Sequence, residues 1–262
     1  MSETIVSGIK PGLRVLVTAA ADGIGRVIAD SFIAHGARVY VSDVNEAALR
    51  DYLAGQPSAL GMVADVADEA AVDRMFDDLR TRLGGLDLLV NNAGIAGPTA
   101  EVENIDPAEW RRTVDVNLSG HFYCTRRAVP MLKETSDGAI INMSSVAGRL
   151  GFALRLPYAA TKWAIVGMTE SLAKELGPHG IRVNAILPGV VAGPRIERVI
   201  AARAKLTGAS IEEARAESLS KVSLRRMVSP QDVANMALFL ASPAGRNISG
   251  QALSVCGNVE NI

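Results

Sequence analysis

The sequence predicts an α/β fold in which a doubly wound parallel sheet of about seven strands lies between two layers of helices. Short apolar segments alternate with longer helical patterns along most of the 262 residues. Repeated strand–helix–strand units of this kind imply right-handed crossovers. Most of the apolar segments are continuous, which is typical of strands that are buried on both faces. We therefore expect one α/β domain, residues 1–262, with a large core.

Seven apolar segments are the candidate strands. They comprise residues 14–18, 37–43, 59–65, 86–92, 138–144, 181–187 and 251–257. Between them lie windows such as residues 68–83, where apolar side chains recur at the spacing of one helix face. In that window the apolar positions are Ala71, Val72, Met75, Phe76 and Leu79. The two patterns together predict a sheet with helices on both faces.

One charged segment interrupts this alternation. Residues 194–226 lie between the sixth candidate strand and a helix that begins near residue 229, and they contain helical pieces separated by the sequence TGAS. Ser210 is placed to cap the second piece. The insertion is either a solvated helical hairpin or, because it follows the carboxyl end of a strand, a lid over a ligand site.

Composition excludes several classes of partner. The chain has 27 Lys and Arg residues against 28 Asp and Glu, for a net charge of -1, so it lacks the basic surface that nucleic acid or an anionic membrane requires. Cys124 and Cys256 form no CxxC pair, so we expect neither a disulfide framework nor a thiolate metal site. The N-terminal residues lack a signal-peptide pattern, and no apolar run is long enough to cross a bilayer. We expect a cytoplasmic protein that acts on a small molecule.

The first candidate strand leads into a glycine-containing turn that opens a helix, in the sequence VTAAADGIGRVIADSF. Gly23 and Gly25 remove side chains there, so that backbone N–H groups can face a pyrophosphate. Asp43 ends the second candidate strand, where a carboxylate can accept hydrogen bonds from an adenosine ribose. The same carboxylate would repel a 2′-phosphate, and neither Asp22 nor Val44 supplies a compensating cation. These residues favour NAD over NADP as the cofactor.

Tyr158 and Lys162 lie four positions apart in a helical segment, with only small residues between them. Residues at this spacing share one helix face, so the ammonium can lie beside the phenol. A free tyrosine, with a pKa of about 10, is a poor base near neutrality, but a nearby cation stabilises the phenolate and lowers that pKa. Taken alone, such a pair is more often an exposed polar edge than an acid/base site.

Six motifs occur together in the order and spacing of one protein family. TAAADGIG (residues 18–25), NNAG (91–94) and YAATK (158–162) match successive family patterns, and LPG (187–189) matches the loop beside the nicotinamide. Ser145 lies thirteen positions before Tyr158, and Asn117 occupies the place of the family's asparagine. The chain resembles the compact, single-domain short-chain dehydrogenase/reductases over nearly its whole length. The resemblance implies a Rossmann-type sheet.

The resemblance also implies an NAD(H)-dependent oxidoreductase that transfers hydride between a secondary alcohol, or its ketone, and the nicotinamide ring. Tyr158 would be the general acid/base, and Lys162 would lower its pKa. Ser145 would bind the reacting oxygen, and Asn117 would hold a water that links Lys162 to solvent. The implied cofactor contacts are Thr18, Asp22, Gly23, Ile24, Gly25, Asp43, Asp65, Val66, Asn92, Ala93, Gly94, Tyr158, Lys162, Pro188, Gly189 and Val191. A homodimer or homotetramer would form through helices around residues 106–134 and 158–177.

Three positions depart from the family pattern. Ala19 replaces the first glycine of the phosphate motif, and we expect its methyl group to be tolerated if the backbone φ is negative. Gly193 replaces a threonine that would hydrogen-bond the carboxamide. Cys256 replaces an aspartate, and we expect a buried and inert thiol there.

The substrate is defined only as a secondary alcohol or ketone. Apolar residues between Ser145 and Tyr158 predict a partly hydrophobic pocket. Four arginines either face solvent or pair with a carboxylate or phosphate of the substrate; they are Arg149, Arg155, Arg195 and Arg198. Two other functions stay open, an NADP(H)-dependent carbonyl reductase and a catalytically silent nucleotide-sensing protein. The complete set of acid/base residues counts against the second.

Overall fold

In a computed structural model, which describes residues 8–135 and 137–259, seven strands form one parallel sheet. The strands are β1 (Arg14–Thr18), β2 (Arg38–Asp43), β3 (Ala59–Val63), β4 (Leu88–Asn91), β5 (Ala139–Met143), β6 (Arg182–Pro188) and β7 (Ala252–Val255). Their order across the sheet is β3-β2-β1-β4-β5-β6-β7, and each pair of neighbours is parallel. The predicted Rossmann-type, doubly wound sheet is confirmed.

Helices cover both faces of this sheet. They are α1 (Gly23–Ala34), α2 (Glu46–Gly55), α3 (Glu69–Leu83), α4 (Pro107–Val114), α5 (Gly120–Leu132), α6 (Leu156–Leu176), α7 (Pro194–Thr207), α8 (Ile211–Ser220) and α9 (Pro230–Ala241). Successive side chains of β1 enter two different cores because they point to opposite faces of the sheet. Val15 and Val17 lie in the core of α1 and α9, whereas Leu16 lies in the core of α3 and α5.

The chain order reverses between β1 and β4, which pair in the middle of the sheet through Val15 and Leu88. The chain first builds outward from β1 through β2 to β3, and it then crosses back to β4. In open parallel sheets, ligands bind beyond the carboxyl ends of the strands at such a reversal. Thr18 and Asn91 end the two strands there, so each strand leads directly into a predicted site motif.

Several strands end earlier than predicted. β3 ends at Val63 and not at residue 65, and β5 ends at Met143 and not at residue 144. Asp65 therefore lies beyond its strand, where its carboxylate accepts a hydrogen bond of 3.0 Å from the backbone N–H of Ala67 and closes a turn. The apolar segments continue past the last ladder pair, so hydrophobicity does not mark where a turn begins. Asp43, by contrast, ends β2 as predicted.

The charged segment 194–226 contains α7 and α8. Ser210 caps α8 through a reciprocal capping box with Glu213, in which each side chain accepts a hydrogen bond from the other residue's backbone N–H. The predicted cap is confirmed. The two helices share a small apolar cluster of Ile200, Ala204 and Ala214.

Candidate active site

The turn between β1 and α1 brings backbone N–H groups to the reversal point of the sheet. Asp22 caps α1, since its carboxylate accepts a hydrogen bond of 2.7 Å from the backbone N–H of Gly23. Gly23 has a φ of 58°, a left-handed conformation that favours glycine. A Cβ on Gly25 would collide with the carbonyl oxygen of Ala19 and the side chain of Asn92. These glycines let the chain turn tightly into a helix N-terminus that suits a pyrophosphate.

Ala19 does not meet the condition of a negative φ under which we expected its methyl group to be tolerated. Its φ is 51°, in the left-handed region, and not negative. Its carbonyl oxygen accepts a hydrogen bond of 3.0 Å from the side chain of Asn92, and the N–H of Ala20 donates to the carbonyl of Ser42 at 3.0 Å. These flanking bonds hold a residue with a Cβ in a conformation that costs about 1–2 kcal/mol.

Thr18 and Asn92 join the carboxyl ends of β1 and β4. The Thr18 hydroxyl accepts hydrogen bonds from the backbone N–H groups of Asn92 and Ala93, both at 3.0 Å. The Asn92 amide donates in return to the carbonyl oxygens of Thr18 at 2.9 Å and Ala19 at 3.0 Å. Both N–H donors of this amide are thus engaged within the protein, and the pair fixes the shape of the crevice.

Asp43 lies beside the same turn. One carboxylate oxygen accepts a hydrogen bond from the backbone N–H of Ala21 at 3.2 Å, and the other accepts from that of Asn45 at 3.0 Å. A carboxylate has about four acceptor positions, so it keeps capacity for a further donor. Asp43 therefore links the end of β2 to the turn and still offers an acceptor for a ribose hydroxyl.

The two implied cofactor contacts beyond β3, Asp65 and Val66, are held by an ion pair and by packing. Asp65 accepts a hydrogen bond of 3.0 Å from Arg112 of α4. Val66 is buried, and its side chain would lie 2.7 Å from a Cβ placed on Gly120. Ile24 packs on the core under α1.

Asn117 lies in a π-helical turn between α4 and α5. Its side chain accepts a hydrogen bond of 2.7 Å from the backbone N–H of Ile95 and donates one of 3.0 Å to the carbonyl of Ile95. It also donates to the hydroxyl of Thr161 on α6 at 3.2 Å. A Cβ on Gly94 would lie 3.3 Å from Asn117 Oδ1 and 3.4 Å from Lys162 Nζ. Asn117 therefore ties the helix that carries Lys162 to the loop after β4.

Lys162 is buried beside Tyr158. Its ammonium donates a hydrogen bond of 2.7 Å to the carbonyl oxygen of Met143 and lies 5.7 Å from the centre of the Tyr158 ring. Burial lowers the pKa of Lys162 to about 8, an effect that a Tyr158 phenolate opposes and that Arg195 reinforces. The lysine is therefore mostly protonated at neutral pH and can act as a cation.

Tyr158 is half-buried, and its phenol ionises more easily than that of a free tyrosine. Burial by itself would raise the pKa of this side chain. Four neighbouring groups lower it, and their combined effect outweighs burial, so the pKa of Tyr158 lies below the ordinary value of 10.0. In decreasing order of effect they are Arg195, Lys162, the hydrogen bond with Ser145, and Arg155. Asn117, Ser145, Tyr158 and Lys162 are thus brought together at the carboxyl edge of the sheet, as the sequence predicted.

Arg155 and Arg195 both lie over the Tyr158 ring, with guanidinium carbons 4.9 Å and 5.8 Å from its centre. Arg155 donates a hydrogen bond of 2.9 Å to the carbonyl of Ala96, and Arg195 donates one of 3.1 Å to that of Gly94. Sequence spacing gives a signal for Arg155, which lies three residues before Tyr158. Arg195 comes from α7, and no local pattern predicts its position.

The other two arginines lie elsewhere. Arg149 donates hydrogen bonds to the carbonyl of Ala252 and the hydroxyl of Ser254 on β7. Arg198 lines, together with Arg195, a cavity of about 350 Å³ between α7 and the loop after β4.

The loop after β6 passes close to β7. Pro188 ends β6, and a Cβ on Gly189 would lie 2.8 Å from the Cα of Cys256. Cys256 is half-buried and adjoins this loop, so our expectation of a buried thiol was wrong. Val191 forms an isolated bridge to the segment before α9. Gly193 has a φ of 144°, which explains why a threonine is absent there.

His121 is a buried titratable side chain that sequence reasoning missed. Its Nε2 lies 3.1 Å from the carbonyl oxygen of Ala93. Burial and the charge of Lys162 lower the pKa of His121 to about 3, so the ring is neutral near pH 7. The sequence feature that could have indicated His121 as a site residue is its position four residues after Asn117.

Two properties of the described residues bear on the class of site. No group of three or more His, Cys, Asp or Glu side chains in them is placed to hold a metal ion. None of their helices has the length and apolar character that crossing a membrane demands.

Comparison with known proteins agrees with this geometry. Residues 18–258 match a family model described as enoyl-(acyl carrier protein) reductase. The chain is 39% identical to galactitol 2-dehydrogenase of Agrobacterium fabrum over 92% of this chain and 95% of the relative. NAD⁺-bound xylitol dehydrogenase superposes with a TM-score of 0.91 at 29% identity, covering 95% of this chain and 99% of that one. A variant actinorhodin polyketide ketoreductase with NADPH superposes with a TM-score of 0.91 at 33% identity, covering 96% and 98%.

The fold and the site together define a dinucleotide-binding oxidoreductase scaffold. The chain belongs to the short-chain dehydrogenase/reductase family.

Proposed function

We propose that the chain is an NAD(H)-dependent oxidoreductase that transfers hydride between a secondary alcohol, or its ketone, and the nicotinamide ring. The observation that carries the proposal is the phenol of Tyr158 at the carboxyl edge of the sheet, with Lys162 and Ser145 against it. When bound, the nicotinamide donates or accepts the hydride. The residues of this chain bind the substrate oxygen and move its proton.

Tyr158 is the proposed acid/base. In the oxidation direction its phenolate accepts the hydroxyl proton of the alcohol, and in the reduction direction its phenol returns a proton to the ketone oxygen. Lys162 stabilises the phenolate as a buried cation. Ser145 hydrogen-bonds the reacting oxygen, and Asn117 holds a water through which Lys162 exchanges protons with solvent.

The turn at Gly23 and Gly25 is the proposed site for the pyrophosphate, at the N-terminus of α1. Asp43 is the proposed acceptor for the adenosine ribose, and its charge disfavours a 2′-phosphate. The remaining proposed cofactor contacts are Thr18, Asp22, Ile24, Asp65, Val66, Asn92, Ala93, Gly94, Pro188, Gly189 and Val191.

The proposals on domain organisation, cellular location and oligomeric state follow from the family to which the chain belongs. We propose a single cytoplasmic domain, residues 1–262, in which α7 and α8 form a lid over the site. A homodimer or homotetramer would form through α4, α5 and α6. The exposed side chains of Phe122 and Trp163 on these helices support such an interface.

Formation of reduced nicotinamide tests the proposal. The protein is given NAD⁺ or NADP⁺ with a panel of secondary alcohols, and we expect turnover with NAD⁺. Asp43→Asn keeps an acceptor but removes the charge, so kcat/KM for NADP⁺ relative to NAD⁺ should rise on the order of tenfold. Asp51→Asn, which changes an exposed carboxylate of α2, is the matched control and should leave this ratio unchanged.

Two results would contradict the proposal. Turnover with NADP⁺ alone in the unmodified protein would identify the NADP(H)-dependent carbonyl reductase. Binding of a nicotinamide nucleotide without turnover of any alcohol or ketone would favour the nucleotide-sensing protein.

A further inference from the structure

Besides Lys162, the site holds two cations that lie over the ring of Tyr158, Arg155 and Arg195. Building on the proposed function, we propose that the substrate carries a small anionic group, a carboxylate or a phosphate ester, and that Arg155 and Arg195 bind it beside Tyr158. The two arginines come from different elements, the segment before α6 and the start of α7. Their guanidinium carbons nevertheless lie 4.9 Å and 5.8 Å from the centre of the same ring.

Neither guanidinium forms an ion pair with a carboxylate within the described part of the chain. Each has a backbone carbonyl as its hydrogen-bond acceptor there, Ala96 for Arg155 and Gly94 for Arg195. The Nε of Arg155 is buried without a hydrogen-bond partner, and burial lowers the pKa of this arginine. A partly buried cation that has no carboxylate partner is costly, and an anion from outside the chain would lower that cost at Arg155.

Two of the other arginines of α7 and α8 form ion pairs, whereas Arg198 lines the same cavity as Arg195. Arg203 of α7 contacts Glu217 of α8 at 2.7 Å, and Arg215 of α8 pairs with Glu197. The segment therefore has carboxylates at hand, yet Arg195 turns away from them toward the loop after β4. An arginine placed in this way is available to a ligand that enters the site.

The surrounding space suits a small ligand. The cavity of about 350 Å³ between α7 and the loop after β4 is lined by Arg195 and by Gly94, Ile95 and Ala96 of that loop. Arg155 does not line this space itself, but it donates its hydrogen bond to the carbonyl of Ala96, which does. Guanidinium groups bind the oxygens of carboxylates and phosphates in pairs, which would fix the orientation of a substrate at Tyr158.

Calorimetric titration tests the inference without turnover. The probes are acetoacetate and glycerol 3-phosphate, each compared with a neutral analogue, 4-hydroxy-2-butanone and glycerol. Titrations use the free protein and the protein with NADH or NADPH. We expect one of the anions to bind at least tenfold more tightly than its neutral analogue, and the anion that does so distinguishes a carboxylate from a phosphate substrate.

Two variants and two matched controls test whether Arg155 and Arg195 are the residues that bind the anion. Arg155→Gln and Arg195→Gln should each weaken binding of the anion on the order of tenfold to hundredfold, with little change for the neutral analogue. Arg149→Gln and Arg203→Gln remove arginines of the same segments whose guanidinium groups are bonded to β7 and to α8. These controls should bind the anion as the unmodified protein does.

Two results would overturn the inference. The first is that neither anion binds more tightly than its neutral analogue. The second is that anion binding is unchanged in both Arg155→Gln and Arg195→Gln. The proposed function fails separately, since it requires reduced nicotinamide to form and these titrations do not.

Discussion

At Tyr158, burial and three cations act on one phenol in opposite directions. Desolvation favours the neutral phenol, whereas Lys162, Arg155 and Arg195 favour the phenolate, and the cations prevail. Lys162 is held at this position by its hydrogen bond to the carbonyl of Met143. The pKa of Tyr158 depends on these few neighbouring groups, so single substitutions should shift it.

Lys162→Met removes a cation without adding a polar group, and it should raise the pKa of Tyr158. The phenolate absorbance of the unmodified protein, minus that of Tyr158→Phe, isolates the titration of this side chain. The chain contains 4 tyrosines, and hydrogen-bonded burial raises the pKa of Tyr40 and Tyr52 well above the ordinary value. Lys174→Met, on an exposed position of the same helix, should leave the Tyr158 titration unchanged. An unshifted Tyr158 in Lys162→Met would refute this assignment.

The sequence predicted Tyr158, Lys162 and the motif that contains Asp43 because each belongs to a local spacing rule. It named Arg155 and Arg195 among four candidate arginines but did not predict that these two meet over Tyr158, because the path of α7 and not a sequence spacing brings Arg195 there. It also missed the positive φ of Ala19, which depends on hydrogen bonds from Ala20 and Asn92. Sequence spacing does not predict contacts between segments that are far apart in the chain.

At the scale of elements, α8 and α9 both begin with a capping box, but the two helices pack in different parts of the fold. Ser229 caps α9 through a capping box with Asp232, as Ser210 caps α8 with Glu213. α9 packs in the main core with α1, whereas α8 packs on α7. The same local interaction therefore supports the main core in one case and the segment of α7 and α8 in the other.

Ser229→Ala should lower the free energy of unfolding by about 1 kcal/mol, because α9 loses its cap. Ser210→Ala removes an equivalent cap, yet it should mainly speed hydrogen exchange within α8, since that helix can open without the core. Denaturant unfolding and amide exchange measure the two effects. Equal loss of global stability in both variants would contradict the prediction that α8 opens independently of the core.

At the scale of the whole molecule, the sequence predicted a doubly wound parallel sheet, but it did not predict the residues at which the strands end. Continuous apolar segments between helices lead to a doubly wound parallel sheet, because both faces must be covered. The ends depend on turns such as the one that Asp65 closes with Ala67. The buried neutral His121 beneath the crevice is a further global feature, because its proton affinity differs between the folded and unfolded chain.

Acid should unfold the protein partly through His121. Its pKa is about 3 in the folded chain and about 6.5 when unfolded, so the unfolded chain binds more protons between these pH values. Stability is therefore lost as the pH falls below about 6.5, with a slope of up to about 1.4 kcal/mol per pH unit from this group. His121→Gln should flatten the slope measured by denaturant unfolding, whereas His179→Gln, on an exposed histidine, should not. An unchanged slope in His121→Gln would show that the ring is already protonated in the folded protein.

The most direct test of the central claim is the activity of Tyr158→Phe. This change removes the hydroxyl alone and leaves the ring, so the packing around Lys162 is preserved. We predict that kcat/KM for oxidation of the best alcohol with NAD⁺ falls by about 10²–10⁴-fold, while the dissociation constant of NADH is unchanged. Turnover at the rate of the unmodified protein, with NADH bound equally well, would show that another group moves the proton.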